Sequence, residues 1–307
     1  MRKTIRELIV GLIITIVGGI VVAWYIQEGQ RFQPPPTATP TPPMAKTPTY
    51  LAYPIQLTTV HSGGATWSWD GSRIAYFQWS DNFSRDIWTM NPDGSSKVRL
   101  TSSGVNEAPT FSPDGKKIIF SRWGLRGDIF DLFVMNADGS NVTRLTSSGG
   151  SYNRPNWSPD GQKVFLDYDD GDHFYVAVIN PDGTGLTKLA EGYHPRLSYD
   201  GTKIVYISAN APHEIWIMNN NGSNRRQLTS GYDDSHPDLS PDRSKIAFSR
   251  NGDLYVMNLD SSFLTQLTVG EWDDREPRWS PDNTRIAFTS GRTGTATICL
   301  LTAVPVR

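Results

Sequence analysis

One short string returns six times in this chain. It reads ATWSWDGSRIAYF at 65–77, PTFSPDGKKIIF at 109–120, PNWSPDGQKVF at 155–165, PRLSYDGTKIVY at 195–206, PDLSPDRSKIAF at 237–248 and PRWSPDNTRIAF at 277–288. A catalytic residue is needed once, so a motif used six times is a building part. What the protein does has to be sought in residues that are not repeated. A second string recurs with the first: QLT at 56–58, RLT at 99–101 and 144–146, KLA at 188–190, and QLT at 227–229 and 266–268. Its leucines, Leu57, Leu100, Leu145, Leu189, Leu228 and Leu267, are 43, 45, 44, 39 and 39 residues apart. A period near 40 residues with strand-like content indicates propeller blades, because helical repeats would carry a 3.6-residue pattern.

Each unit contains four strand signals. The first leads into the Trp/Phe/Leu-Ser pair, and the second is an apolar run such as KIIF or RIAF. The third is a run such as DIWTMN or DLYVMN, and the fourth holds the R/Q-L-T string. Asp-Gly between apolar runs is a strong hairpin signal, since glycine accepts positive φ at little cost. In SPDG, Pro113, Pro159, Pro241 and Pro281 preset φ, and Asp114, Asp160, Asp200, Asp242 and Asp282 can accept backbone N–H bonds across the turn. These aspartates are therefore structural. The first fourth-type strand, near 52–58, precedes any complete unit, and the last unit ends at ATICLLTAV without one. The economical solution is a ring in which the opening strand completes the closing blade, which leaves no exposed junction. The expected fold of 50–307 is all-β, a six-bladed β-propeller closed by its N-terminal strand. Trp88, Phe133, Tyr175, Trp216 and Tyr255 are the candidates for packing between blades.

The units WSWDG, FSPDG, WSPDG, LSYDG, LSPDR and WSPDN, each followed by a K/R-I-A-F type strand and later by R/Q-L-T, resemble the WD40-like PD40 repeat of the TolB-type propeller family. The resemblance covers the chain from about residue 50 and implies the fold, while propellers host many unrelated activities. The repeats are also similar to those of oligogalacturonate lyase, whose channel metal is held largely by histidines. That likeness keeps a metal-assisted polysaccharide lyase or hydrolase as the alternative function. Similar repeats accompany prolyl oligopeptidase-type peptidases, but the G-x-S-x-G elbow of their hydrolase domain is not found.

Ahead of the repeats, LIVGLIITIVGGIVVAWY at 8–25 carries no charge. At about 1.5 Å per residue, a helix of this length just spans a hydrocarbon core of roughly 30 Å. Arg2, Lys3 and Arg6 precede it, and Trp24 and Tyr25 end it. The reading is an uncleaved signal-anchor: residues 1–7 in the cytoplasm, a single transmembrane helix at 8–25, and the remainder outside a cell membrane. Residues 26–49, rich in Pro and Thr, read as a semi-rigid linker. The 307 residues include 29 basic and 31 acidic ones with no basic block beyond the first few, so no nucleic-acid partner is indicated. The single cysteine, Cys299, excludes an intrachain disulfide.

The copies disagree where the first strand of each unit begins. Before Ala65, Pro109, Pro155, Pro195, Pro237 and Pro277 stand Gly64, Ala108, Arg154, His194, His236 and Glu276. One position further back stand Gly63, Glu107, Asn153, Tyr193, Ser235 and Arg275. Six such positions would ring the mouth of a central channel. The matching loops GYDDSHP and GEWDDREP add Tyr232, Asp233, Asp234, Trp272, Asp273 and Asp274. The ligand-binding candidates are therefore Glu107, Arg154, Tyr193, His194, Tyr232, Asp233, Asp234, His236, Trp272, Asp273, Asp274, Arg275 and Glu276. His61, His194 and His236 could hold a divalent cation with a rim carboxylate. His173 and His213 fall in strand two–three connections and are set aside. No catalytic constellation stands out. The function expected is a membrane-anchored binding or scaffolding module that takes a protein, peptide or envelope glycan at the channel mouth.

Overall fold

The computed structural model describes residues 12–17, 20–25, 54–80, 84–124, 127, 129–147 and 149–302. The chain divides into two compact units, Met1–Met44 and Ala45–Arg307. In the first, β1 (Leu12–Val17) and β2 (Ile20–Tyr25) pair antiparallel, with Leu12 opposite Tyr25 and Val17 opposite Ile20. The helix expected over 8–25 is not formed. Both runs are dominated by β-branched Ile and Val, which are stiff at χ1 and suit a pleated strand. The sequence also places Gly-Gly between them, a hairpin signal that the hydropathy argument passed over. Among the described residues no helix is long and apolar enough to cross a membrane. The single-pass anchor, the membrane as a partner and the localisation drawn from that helix therefore lose their basis. Residues 1–7 and the Pro/Thr-rich linker at 26–49 lie outside the described residues.

The second unit is built of strands. It opens with β3 (Ile55–Gln56). Then follow β4 (Ser62–Trp67), β5 (Ile74–Trp79), β6 (Arg85–Met90), β7 (Val98–Arg99), β8 (Val105–Phe111), β9 (Lys117–Trp123), β10 (Phe130–Asn136) and β11 (Thr143–Arg144), which form one eight-stranded sheet. A four-stranded sheet comprises β12 (Ser151–Trp157), β13 (Val164–Asp169), β14 (Phe174–Ile179) and β15 (Thr187–Glu191). The next has β16 (Tyr193–Leu197), β17 (Lys203–Ile207), β18 (Ile215–Asn219) and β19 (Arg226–Gln227). Another has β20 (Asp234–Leu239), β21 (Lys245–Arg250), β22 (Asp253–Asn258) and β23 (Thr265–Gln266). The last joins β24 (Arg275–Trp279), β25 (Arg285–Ser290) and β26 (Thr297–Thr302) to β3.

The expectation of six separate blades is corrected by this hydrogen bonding. Four self-contained four-stranded sheets are present, and the other eight strands are one continuous sheet. Its two halves are joined where β6 and β8 meet in parallel at Arg85 and Val105. The Arg85 N–H donates to the Gly104 carbonyl at 3.1 Å, and the Asn106 carboxamide donates to the Arg85 carbonyl at 2.8 Å. The first strands of successive groups, β4, β8, β12, β16, β20 and β24, neighbour one another in a closed circle. The circle closes through β3, with Gln56 opposite Cys299 and Ile55 opposite Leu300.

Local chemistry explains the repeated strings. In all six first turns the Ser hydroxyl meets the Asp carboxylate two residues on, as in Ser158–Asp160 at 2.6 Å. The same hydroxyl accepts the N–H five residues on, as from Lys163 at 2.9 Å. The Asp in turn accepts the N–H two residues beyond it. These aspartates are thus consumed by their turns. In the L-T string the Thr hydroxyl accepts a third-strand N–H that the two-residue outer strand cannot reach. Thr58, Thr101, Thr146, Thr229 and Thr268 do so at 2.8–2.9 Å. Where Ala190 replaces Thr, the outer strand is longer and bonds the chain directly, with Ala190 opposite Val176 and Glu191 opposite Tyr175. The core lies between neighbouring groups. Ala75 and Ile87 pack with Phe111, Phe120 and Phe133, and Leu57, Trp67 and Tyr76 pack with Ala287, Ile298 and Leu300.

Candidate functional site

All six inner strands carry the same irregularity. Pairing with the second strand slips between residues 63 and 66, 107 and 110, 153 and 156, 193 and 196, 235 and 238, and 275 and 278. Inside each slip lies the residue before the repeat's proline, with left-handed φ: Gly64 62°, Ala108 50°, Arg154 49°, His194 55°, His236 52° and Glu276 57°. A bulge of this kind leaves one residue unpaired and re-aims its side chain. Proline has no N–H to waste in the broken ladder, which is why the repeat tolerates it there. Left-handed backbone costs a non-glycine residue on the order of 1–3 kcal/mol and persists where surroundings enforce it. Five of the six positions bear that cost, and their side chains converge on one mouth.

The mouth encloses a cavity of about 340 Å³. Of the predicted residues, Glu107, Arg154, His236, Arg275 and Glu276 line it. His194 stacks on His236 with ring centroids 4.4 Å apart, and Tyr193 meets His194 edge-on at 4.9 Å. Burial pushes both imidazoles well below their ordinary range, and the surrounding arginines add to this. Glu276 accepts the Gly64 N–H at 3.0 Å and the Thr289 hydroxyl at 2.9 Å. Burial favours its neutral form, but Arg154, Arg278 and the Gly64 N–H override this and hold it below the carboxylate range. Glu107 pairs with Arg85 and accepts the Asn153 carboxamide at 3.0 Å. Arg154 reaches Asp167 at 3.3 Å, and the Asp167 carboxylate also accepts the His194 N–H at 2.7 Å. Burial drives Asp167 up to about 6 against the pull of Arg154.

The acid pairs divide. Asp234 and Asp274 are buried, held by Arg250 at 2.6 Å and Arg292 at 2.5 Å, and serve the fold. Asp233 and Asp273 stay at the surface, paired with His213 and Arg275. Tyr232 lies under Arg250, and Tyr232 and Trp272 remain 47% and 44% exposed beside the mouth. His213, set aside on sequence, belongs to this cluster through Asp233 at 2.7 Å and Tyr193 at 5.5 Å. His61 stacks on Trp79 at 5.1 Å instead of joining His194 and His236. Among the described residues no group of three His, Cys, Asp or Glu side chains is placed to hold a metal ion.

Sequence reasoning missed the deeper layer. The residues after the repeat's proline are Thr66, Thr110, Asn156, Arg196, Asp238 and Arg278, and they differ from unit to unit as the rim does. Thr66, Arg196 and Arg278 line both the mouth cavity and a second cavity of about 70 Å³ beyond it. The mouth is lined by Arg85, Arg154, Arg196, Arg275 and Arg278 with Glu107 and Glu276, and Asp167, Asp238 and Asp273 stand behind the arginines, so it is a concavity that presents guanidinium groups. The signal was present in the alternation of the first strand and needed only the next aligned column.

The profile of the TolB beta propeller domain family, PD40, matches residues 62–253. The Tol-Pal system protein TolB of Francisella tularensis is 28% identical over 192 residues, 60% of this chain and 44% of that protein. The chain thus spans less than half the length of this curated relative. TolB from Acinetobacter baumannii superposes with a TM-score of 0.65 at 23% identity, covering 77% of this chain and 65% of that one. Oligogalacturonate lyase from Vibrio parahaemolyticus gives 0.56 at 13% identity, over 81% and 93% of the chains, a likeness of fold alone. With residues 62–253 matched and the strands arranged as described, the chain belongs to the TolB beta propeller domain (PD40) family.

Proposed function

We propose that the domain is a binding module that takes a segment of a protein partner into the mouth of the ring. The observation that carries this is the set of six bulges, which turn unrepeated side chains into one arginine-lined cavity on a closed circle of strands. The surrounding face supports it. Trp123 ends β9 opposite the start of β8, Phe174 starts β14, and Tyr232 and Trp272 precede β20 and β24, so all four flank the side where inner strands begin. They are 41–53% exposed, and aromatic side chains of this kind are enriched where proteins bind proteins. The relatives named for the Tol-Pal system share only the propeller portion, so the reading drawn from them is the binding module and not the assembly.

The test is site-specific photocrosslinking of the full chain. A crosslinking amino acid at Trp272 or Tyr232 should trap polypeptide partners, and one at Asp138 or Asp182, in turns at the opposite ends of the strands, should not. Equal trapping at both ends of the ring would refute the reading.

A further inference from the structure

An aromatic pair bridges the channel at its far end. In the first turns, Trp69 and Tyr199 stand where Pro113, Pro159, Pro241 and Pro281 stand in the other units. Their groups begin with β4 and β16, three places apart in a circle of six inner strands and therefore opposite one another. The two rings meet across the channel with centroids 5.1 Å apart and tilted by 60°. A chain entering the mouth therefore meets a floor.

Just above that floor lie two arginines, Arg196 and Arg278, that have one carboxylate, Asp238, between them. The half-buried Arg196 side chain makes no hydrogen bond or ion pair with any described residue, while its backbone pairs with Val205. Arg278 is 8% exposed; one of its N–H groups donates to the Pro277 carbonyl at 2.7 Å, and its Nε has no partner. Asp238 lies near both and also accepts the Trp279 N–H at 2.8 Å, so a single negative charge faces two guanidinium groups. The other arginines of the mouth are paired: Arg85 with Glu107, Arg154 with Asp167 and Arg275 with Asp273. Burial, and then Arg278 itself, pull Arg196 down to about 9. Buried cations are ordinarily paired, and a guanidinium presents a planar fork of donors that matches a carboxylate in two parallel bonds.

We propose that the waist of the channel is a blind socket for one carboxylate of the bound polypeptide, held by Arg196 and Arg278, with the Trp69–Tyr199 contact setting how deep it can go. The socket deepens the binding-module reading and rests on it. A carboxylate at a chain's C-terminus and one on an acidic side chain share this chemistry, and the experiment separates them.

Three labelled octapeptides of Gly, Ser and Ala would be titrated onto the full chain at low salt by fluorescence anisotropy. One has a free C-terminus, one is amidated, and one is amidated with two internal Glu residues. Succinate is titrated separately by calorimetry. At least one carboxylate-bearing peptide should bind ten-fold or more tighter than the neutral amide. Arg196→Gln and Arg278→Gln should each abolish that preference, and Arg196→Lys should keep only part of it. Melting curves identify a variant that has failed to fold. Whichever peptide wins names the source of the carboxylate. Equal binding of all three peptides, unmoved by Arg196→Gln, would overturn the socket and leave the binding module standing. Binding of succinate that depends on Arg196, with no peptide bound, would support the socket and remove the polypeptide reading. No binding of any carboxylate probe would overturn the socket.

Discussion

Replacing Thr58 by Val tests whether the ring is closed where the strands indicate. Thr58 is 1% exposed, and its hydroxyl accepts the Ile298 N–H at 2.8 Å across 240 residues of chain. β3 is two residues long, and its short ladder to β26 is supported by the Leu57 N–H bond to the Ile298 carbonyl at 2.8 Å and by Leu57 in the core. Valine has the same shape and leaves no cavity, but it leaves a buried N–H without an acceptor, at a cost of about 1–3 kcal/mol. For a domain of this size each kcal/mol lowers the midpoint by roughly 2–4 °C, so a fall of about 2–12 °C is expected. Amide exchange over residues 297–302 should accelerate by roughly 5- to 150-fold, since every 1.4 kcal/mol is a factor of ten. Thr229→Val breaks the equivalent bond to Ile215 at 2.9 Å and should accelerate exchange in β18, not in β26. Unchanged exchange at 297–302 in Thr58→Val, with the midpoint within a degree of the parent, would refute closure through this contact.

Further outcomes follow from the same geometry. His194 and His236 are kept neutral by burial, so the unfolded chain takes up protons first: their contribution is complete above about pH 6.5 and is lost as pH falls, at up to ~1.4 kcal/mol per unit for each. Asp167, raised to about 6 by burial, opposes this between its ordinary value and that pH. Urea midpoints should therefore drop from pH 7.5 to 5.5, His194→Gln/His236→Gln should flatten the slope, and a flat parent profile would contradict the assignment. Trp69→Pro restores the repeat's own residue; it loses an aromatic contact of roughly 0.5–1.5 kcal/mol and gains about 0.4–1 kcal/mol from a stiffer unfolded chain, so the midpoint should move by less than about 5 °C. Ala108→Gly relieves left-handed backbone at φ 50° and should raise stability by up to ~1 kcal/mol in denaturant titrations, whereas a loss would show that the bulge is not strained there.

What could be read from sequence was what the copies share. The Ser-Pro-Asp-Gly turn and the Leu-Thr string each carry one bonding scheme, so their spacing disclosed the strands, the order within each group and the pairing of β3 with β26. The bulge could not be read from a pattern, because its mark is a proline whose meaning depends on which N–H the ladder leaves unused. Placing the columns before that proline at the mouth passes over Arg196, Asp238 and Arg278 just past it. The join between β6 and β8 escaped notice because it depends on backbone approach at Arg85 and Val105, not on any repeated side chain. The hydrophobic run at 8–25 misled for a different reason: hydropathy counts apolar residues and is blind to β-branching and to a central Gly-Gly. The acid pairs looked alike in both loops, and only tertiary contact with Arg250 and Arg292 separates the buried partner from the exposed one.

The parallel bridge at Arg85 and Val105 makes the circle unequal in how it would come apart. Thermal breathing that frees β3 opens a slit beside β4, yet the next gap along, between β6 and β8, is riveted by backbone. Were the packing of β4 on the last sheet to give way as well, the eight strands joined by that bridge would move together as one leaf. Because the rivet residue Arg85 also grips Glu107, that leaf carries one wall of the mouth with it intact, and a transient horseshoe would keep this half of the cavity assembled while the opposite half disperses.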